Sequence, residues 1–177
     1  LIIKKFNDRR IRYFKTHKTY PLYYARNLAL KKTKGEYISF LDTDDWWIKK
    51  KLEVQVKIFS KDKSIDIQYS NLFIFNEKTK KKKIFSKKNL YNGKITQDLL
   101  NDFKMPILTT MIKKDMFKKI KFDNRYTIIG DFDFFVRASL ISKIKSIQIP
   151  LAYYRIHNTN LTTKKIDLNI KELEIWI

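Results

Sequence analysis

Residues Tyr37-Ile38-Ser39-Phe40-Leu41 form a short, mostly apolar run that reads as a core β-strand, and they pass without a break into Asp42-Thr43-Asp44-Asp45. Three carboxylates at the end of a strand built for the core are costly unless a cation or hydrogen bonds compensate them. In open α/β sheets, ligands bind outside the carboxyl ends of the strands. Two aspartates at i and i+2, with a small polar residue between, can aim at one hard cation and a ligand hydroxyl. An oxygen-only site of this kind suits Mg²⁺ or Mn²⁺, which share their ligation with substrate phosphates. The competing reading is that Asp44 or Asp45 caps a helix predicted from about Trp46 to Ser60, with Leu52, Val56 and Phe59 on its buried face.

Acids are scarce, 18 among 177 residues, which gives a second tight cluster weight: Asp131 and Asp133, between Ile128-Ile129 and Phe134-Phe135. The formal net charge is +21, a value that raises nucleic acid as a partner. Only seven of the 39 basic residues are arginine, the residue favoured for base and phosphate recognition. Nucleic acid is therefore not the expected partner, whereas a lysine-rich surface suits peripheral contact with an anionic membrane. With no cysteine, disulfides and thiolate metal sites are excluded, which fits a reducing, cytoplasmic setting. No apolar run approaches the length of about 20 residues that a membrane helix needs.

Periodicity divides the chain into alternating elements. A helix end over residues 1–12 leads into a strand at Ile11–Phe14, and a helix is predicted over Tyr23–Lys32, closed by Gly35. Strands follow at 65–70 and 72–75, turning through the basic stretch 76–83 and returning at Ile84-Phe85 as a hairpin. Helices are expected at 95–103, 114–119, 131–142 and 166–177, and strands at 107–112 and 147–154. The run Lys78–Lys83 reads as a solvated hairpin tip. Trp46 and Trp47 can stack on a sugar ring or pack in a core. With no repeat and no Pro/Gly/Ser linker, residues 1–177 read as one α/β domain.

Three blocks in order carry a resemblance. The first is Ala25-Arg26-Asn27, then Gly35-Glu36-Tyr37-Ile38, then Leu41-Asp42-Thr43-Asp44-Asp45, then Lys51-Leu52-Glu53. The second is Gly130-Asp131-Phe132-Asp133-Phe134-Phe135, and the third is Tyr154-Arg155-Ile156-His157 through Leu161-Thr162. Together they resemble the family-2 inverting glycosyltransferases of the GT-A (Rossmann-like) fold, a mixed sheet flanked by helices. The family often has Glu-Asp where this chain has Gly130-Asp131, and a glycine where Tyr20-Pro21 stands. It also opens with a strand, a nucleotide-binding loop and a second strand, so Leu1 corresponds to a point about sixty residues into the family pattern, leaving a partial domain.

The resemblance implies transfer of a sugar from a nucleotide-sugar donor to a glycan or lipid-linked acceptor, assisted by Mn²⁺ or Mg²⁺. It implies that Asp44 is a metal ligand and that Asp42 contacts the donor ribose or helps to place the metal. It puts Arg26 and Asn27 near the donor, and Arg155 and His157 over the diphosphate or the metal. Asp131 becomes the general base, with Asp133 as the alternative, and one base opposite one metal implies a single in-line displacement with inversion. Two other readings stand beside it: a basic module that binds anionic surfaces or nucleic acid, and an inactive truncated remnant of the enzyme.

Overall fold

A computed structural model describes residues 5–160 and 165–177. Helices α1 (Leu22–Lys32), α2 (Lys51–Lys61), α3 (Thr96–Asn101), α4 (Met116–Lys119), α5 (Gly130–Ser139) and α6 (Ile166–Trp176) alternate with six strands. The strands are β1 (Tyr37–Ile38), β2 (Trp46–Trp47), β3 (Ile67–Asn76), β4 (Lys82–Ile84), β5 (Met111–Lys113) and β6 (Ile144–Ile156). They form one sheet in the order β1-β5-β3-β6-β2, with β4 paired to β3. β3 and β6 run parallel, and every other pairing is antiparallel. This is the mixed α/β architecture that the resemblance implies.

Side-chain alternation along β3 splits the interior into two layers. Ile67 and Tyr69 face the main core with Leu99, Ile112, Phe117, Phe134 and Phe135, beneath α3, α4 and α5. Gln68 points the other way, toward α2, where Phe59 packs with Ile65 and Met111 and stacks on Tyr37 at 4.5 Å. β3 is one strand rather than two, because Asn71 repairs its irregularity. The Asn71 Oδ1 accepts the amides of Leu72 and Ser86, and its Nδ2 donates to the Ser86 carbonyl.

The main departures from expectation are local. Trp46-Trp47 is a strand on β6, with Trp46 opposite Tyr153 and Trp47 opposite Ala152, so the helix begins only at Lys51. Five residues separate Asp45 from that helix, which removes the capping reading of Asp44 and Asp45. Residues Ile107–Thr109 form a 3₁₀ turn instead of a strand. The Thr109 and Thr110 hydroxyls donate to the carbonyls of Pro106 and Ile107 and hold the turn closed. Residues Ile11–Phe14 are not a strand. No helix among the described residues is long and apolar enough to cross a membrane.

The buried face of α2 is Lys51, Gln55 and Phe59, while Leu52 and Val56 are 45% and 44% exposed. Lys51 has no exposure at all. Its ammonium donates to Gln55 Oε1 (2.7 Å) and the Thr110 carbonyl (3.1 Å) and lies 4.5 Å from the centre of the Trp47 ring. Gln55 in turn donates to the Thr109 carbonyl. Burial pushes the Lys51 amine down to about 7. The folded chain therefore sheds this proton above pH 7, while the unfolded chain keeps it until about pH 10. Between those values the unfolded state binds more protons, so stability rises with pH, by up to about 1.4 kcal/mol per pH unit. Urea midpoints at pH 7.5 and 9.5 should show this rise in the wild type, and Lys51→Met should remove the contribution.

Candidate active site

After β1 the chain continues extended, with the Ser39 hydroxyl bonded to the Thr110 carbonyl, and turns at Asp42–Asp45, where the Asp45 amide meets the Asp42 carbonyl at 3.2 Å. β2 then fastens the far end of this turn to β6. The β6 backbone reaches back into it: the Arg155 amide donates to Asp45 Oδ1 and its Nε to the Asp44 carbonyl, both at 2.9 Å. The His157 Nε2 lies 2.9 Å from Asp44 Oδ2. Because the Thr159 amide donates to His157 Nδ1, the ring proton sits on Nε2 and is given to Asp44. On the other side, Arg26 Nη2 from α1 grips both oxygens of Asp42, at 2.9 and 3.1 Å. Its guanidinium is buried among the rings of Tyr23, Phe40 and Phe122.

Across the cavity, Asp131 occupies the first turn of α5. Its Oδ1 accepts the Phe132 amide at 2.9 Å and faces the Tyr23 hydroxyl at 3.4 Å. That hydroxyl donates to the Ile128 carbonyl at 2.9 Å. Gly130 is what lets Tyr23 come so close: a Cβ at this position would meet ring atoms of Tyr23 at 2.4–2.7 Å. Asp42, Asp44, Asp45 and Asp131 line one cavity of about 470 Å³, together with Arg26, Tyr23 and Asn160, against apolar walls that include Leu72, Ile74, Phe85 and Leu108. Burial pushes the carboxyl of Asp131 above the ordinary carboxylate range, against the opposing pull of Arg26. Burial, with the charges of Asp44 and Asp42, raises Asp45 to about 6 even though the Arg155 amide favours its ionised form.

The structure thus gathers Arg26, Asp42, Asp44 and Asp131 and separates the others. Asp133 is only 5% exposed and belongs to the scaffold. Arg137 binds both of its oxygens and the Trp176 indole donates to it, so it does not line the cavity. Asn27, expected near the donor, does not line the cavity. Its amide ties α1 to the segment after α4, donating to the Phe122 carbonyl and to Asn124 and accepting the Phe122 amide. Arg155 also lies outside the cavity lining. Its side chain holds the acid turn from behind and pairs with Glu77 at 3.1 Å. His157, expected over the diphosphate or the metal, meets the carboxylate of Asp44. Leu161 and Thr162 of the third block lie outside the described residues. Tyr23 is a member of the site outside the motifs, and Asp45 and Asn160 are motif residues that also line the cavity although the resemblance gives them no role. Only tertiary placement identifies Tyr23, which looks in sequence like an ordinary aromatic of an amphipathic helix.

Among the described residues, no three His, Asp or Glu side chains converge into a self-sufficient metal site. That arrangement still fits Mg²⁺ or Mn²⁺, which take one or two protein carboxylates and complete their shells with water and substrate phosphate. Asp44 and Asp42 are the carboxylates available at the cavity. His157 bonds one oxygen of Asp44 and so orients it, the usual outer partner of a ligating carboxylate.

Residues 1–141 match the profile of Glycosyl transferase family 2. An uncharacterized glycosyltransferase of Methanocaldococcus jannaschii is 29% identical over 160 residues, covering 89% of this chain and 55% of that protein. The Escherichia coli UDP-Glc:alpha-D-GlcNAc-diphosphoundecaprenol beta-1,3-glucosyltransferase WfaP is 28% identical over 177 residues, covering 98% of this chain and 67% of its own length. The chain therefore spans between about half and two thirds of these relatives. The fold matches the crystal structure of S. aureus TarS 1–349 in complex with UDP-GlcNAc, with a TM-score of 0.57 at 16% identity, over 78% of this chain and 40% of that one. With the family profile matched along most of its length, this chain belongs to glycosyl transferase family 2.

Proposed function

We propose that the cavity carries transfer of a sugar from a nucleotide-sugar to a hydroxyl of a glycan or lipid-linked acceptor, with inversion at the anomeric carbon. The observation that carries this reading is that Asp131, far away in sequence, lines the same cavity as Asp42, Asp44 and Asp45. The names of the relatives point the same way, since WfaP uses UDP-Glc and a diphosphoundecaprenol-linked acceptor.

The residues divide the work by position. Asp131 takes the proton of the acceptor hydroxyl as that oxygen bonds to the anomeric carbon and the bond from that carbon to the departing diphosphate breaks. A carboxyl raised above its usual range is a stronger base than an ordinary aspartate. Arg26 fixes Asp42 and supplies a buried positive charge beside both acids. Asp44 and Asp42 are the residues to hold Mn²⁺ or Mg²⁺. When bound, the ion supplies positive charge to the leaving diphosphate. The lysine-rich surface suits a protein at the anionic, cytoplasmic face of a membrane, where each surface lysine contributes about 1 kcal/mol and a lipid-linked acceptor resides.

The test is a product analysis on the whole protein. It would be incubated with a panel of nucleotide-sugars and with GlcNAc carried on a prenyl diphosphate, and the product examined by NMR. The expected result is a β-linked product from an α-linked donor. A product that keeps the donor's configuration overturns the single-base reading.

A further inference from the structure

We propose that α6 is a clamp that sets the position of Asp131, and that Glu172 is its positioning residue. This rests on Asp131 being the base, and extends that reading to a part of the chain beyond residue 141, where the family match ends.

Glu172, on α6, accepts the backbone amides of the three residues that lead into α5. Its Oε1 accepts the Thr127 amide at 2.7 Å, and its Oε2 accepts those of Ile128 and Ile129 at 2.9 and 3.1 Å. Three consecutive amides converging on one carboxylate make an anion-binding concavity, here filled by the protein itself. Glu172 is 5% exposed, so these charge-assisted bonds are shielded from water.

The clamp closes on both sides of Asp131. Upstream, Glu172 fixes residues 127–129, and the Ile128 carbonyl so placed receives the Tyr23 hydroxyl that faces Asp131. Downstream, the Trp176 indole donates to Asp133 at 3.2 Å, and its ring meets Phe132 edge-on at 5.0 Å. Leu173 and Trp176 also pack against the main core, which anchors the helix. Glu172 is not itself part of the cavity lining and makes no hydrogen bond to Asp131, but Thr127 and Ile128, whose backbone it holds, do line the cavity. It acts by holding the backbone from which the base projects.

Glu172→Gln keeps the size of the side chain but loses the charge and presents an amide donor to a ring of donors. Glu172→Asp keeps the charge and withdraws it by one methylene. Each is expected to lower kcat by about 10- to 100-fold, since misplacing a catalytic group by roughly 1 Å costs that much. The KM for the donor, and the Kd for the nucleoside diphosphate, should stay within about two-fold, because the acid turn is untouched. The deciding measurement repeats Glu172→Gln in an Asp131→Asn background, where it should cost nothing further. An equal loss in both backgrounds, or a kcat unchanged by both variants, overturns the clamp. If Asp131→Asn alone retains full kcat, it is the base assignment that fails, and the clamp with it.

Discussion

Asp131→Asn should lower kcat for glycosyl transfer by about 10³-fold while leaving nucleotide binding intact, the range expected when a general base is deleted. The amide is isosteric and its oxygen can still accept the Phe132 amide, so α5 begins as before. What is lost is the ability to take a proton. The pH profile supplies an independent check. Asp131 works as the anion, and burial raises its carboxyl above the ordinary range, so activity should fall as pH is lowered through that raised value. This acid limb should disappear from the residual activity of the variant. Asp133→Asn is the contrast: it breaks contacts with Arg137 and Trp176 and should lower thermal stability without removing the acid limb. A variant at 131 with wild-type kcat defeats the assignment.

Asp44→Ala is the second large effect expected. Turnover should fall by about 10³-fold, and the saturable dependence on Mn²⁺ or Mg²⁺ should go with it. Asp44 stands apart from the other two acids of its turn. Arg26 holds both oxygens of Asp42, whereas Asp44 and Asp45 each have one oxygen held, by His157 and by the Arg155 amide; of these two, it is Asp45 whose carboxyl burial pushes up to about 6. Truncation to alanine leaves the His157 Nε2 proton without its partner but removes no backbone bond of the turn, because the Arg155 side chain binds the Asp44 carbonyl instead. The fold should therefore survive. The check is a titration of nucleoside diphosphate release against metal concentration. If the variant still turns over at the wild-type rate and with the wild-type metal response, the cation is held elsewhere.

The parts of the fold that were legible in the chain are those governed by local pattern. The acid turn after β1, the helix α1, the β3–β4 hairpin and the strand β6 follow from apolar period and turn residues, whereas the parallel pairing of β6 with β3 does not. The misreadings share a cause, which is that contacts distant in sequence decided them. Trp46-Trp47 is strand because Tyr153 and Ala152 lie alongside it, although its composition suits a helix start equally well. On α2, hydropathy selects Leu52 and Val56 as the inner face. The actual inner face keeps Phe59 but otherwise consists of Lys51 and Gln55, because the carbonyls of Thr109 and Thr110 need donors there.

The same distinction runs through the site. Asp42, Asp44 and Asp131 were legible as acids flanked by apolar residues in a scarcely acidic chain. Nothing in the sequence separates Asp131 from Asp133. The difference comes from the helical turn that sends one to the cavity and the other to Arg137. Asn27 and Arg155 sit within recognisable motifs, yet both are spent on holding backbone segments together.

The contact between Tyr23 and Gly130 has an evolutionary corollary. The tyrosine ring fills the volume that any side chain at 130 would need, so the two positions are not free to drift independently. A lineage that places an acid before Asp131 must first give up the large aromatic at 23. The reverse path is blocked until 130 shrinks to glycine. Among family members with a similar backbone, bulk at one position should thus exclude bulk at the other, a pattern of paired substitution set by steric exclusion.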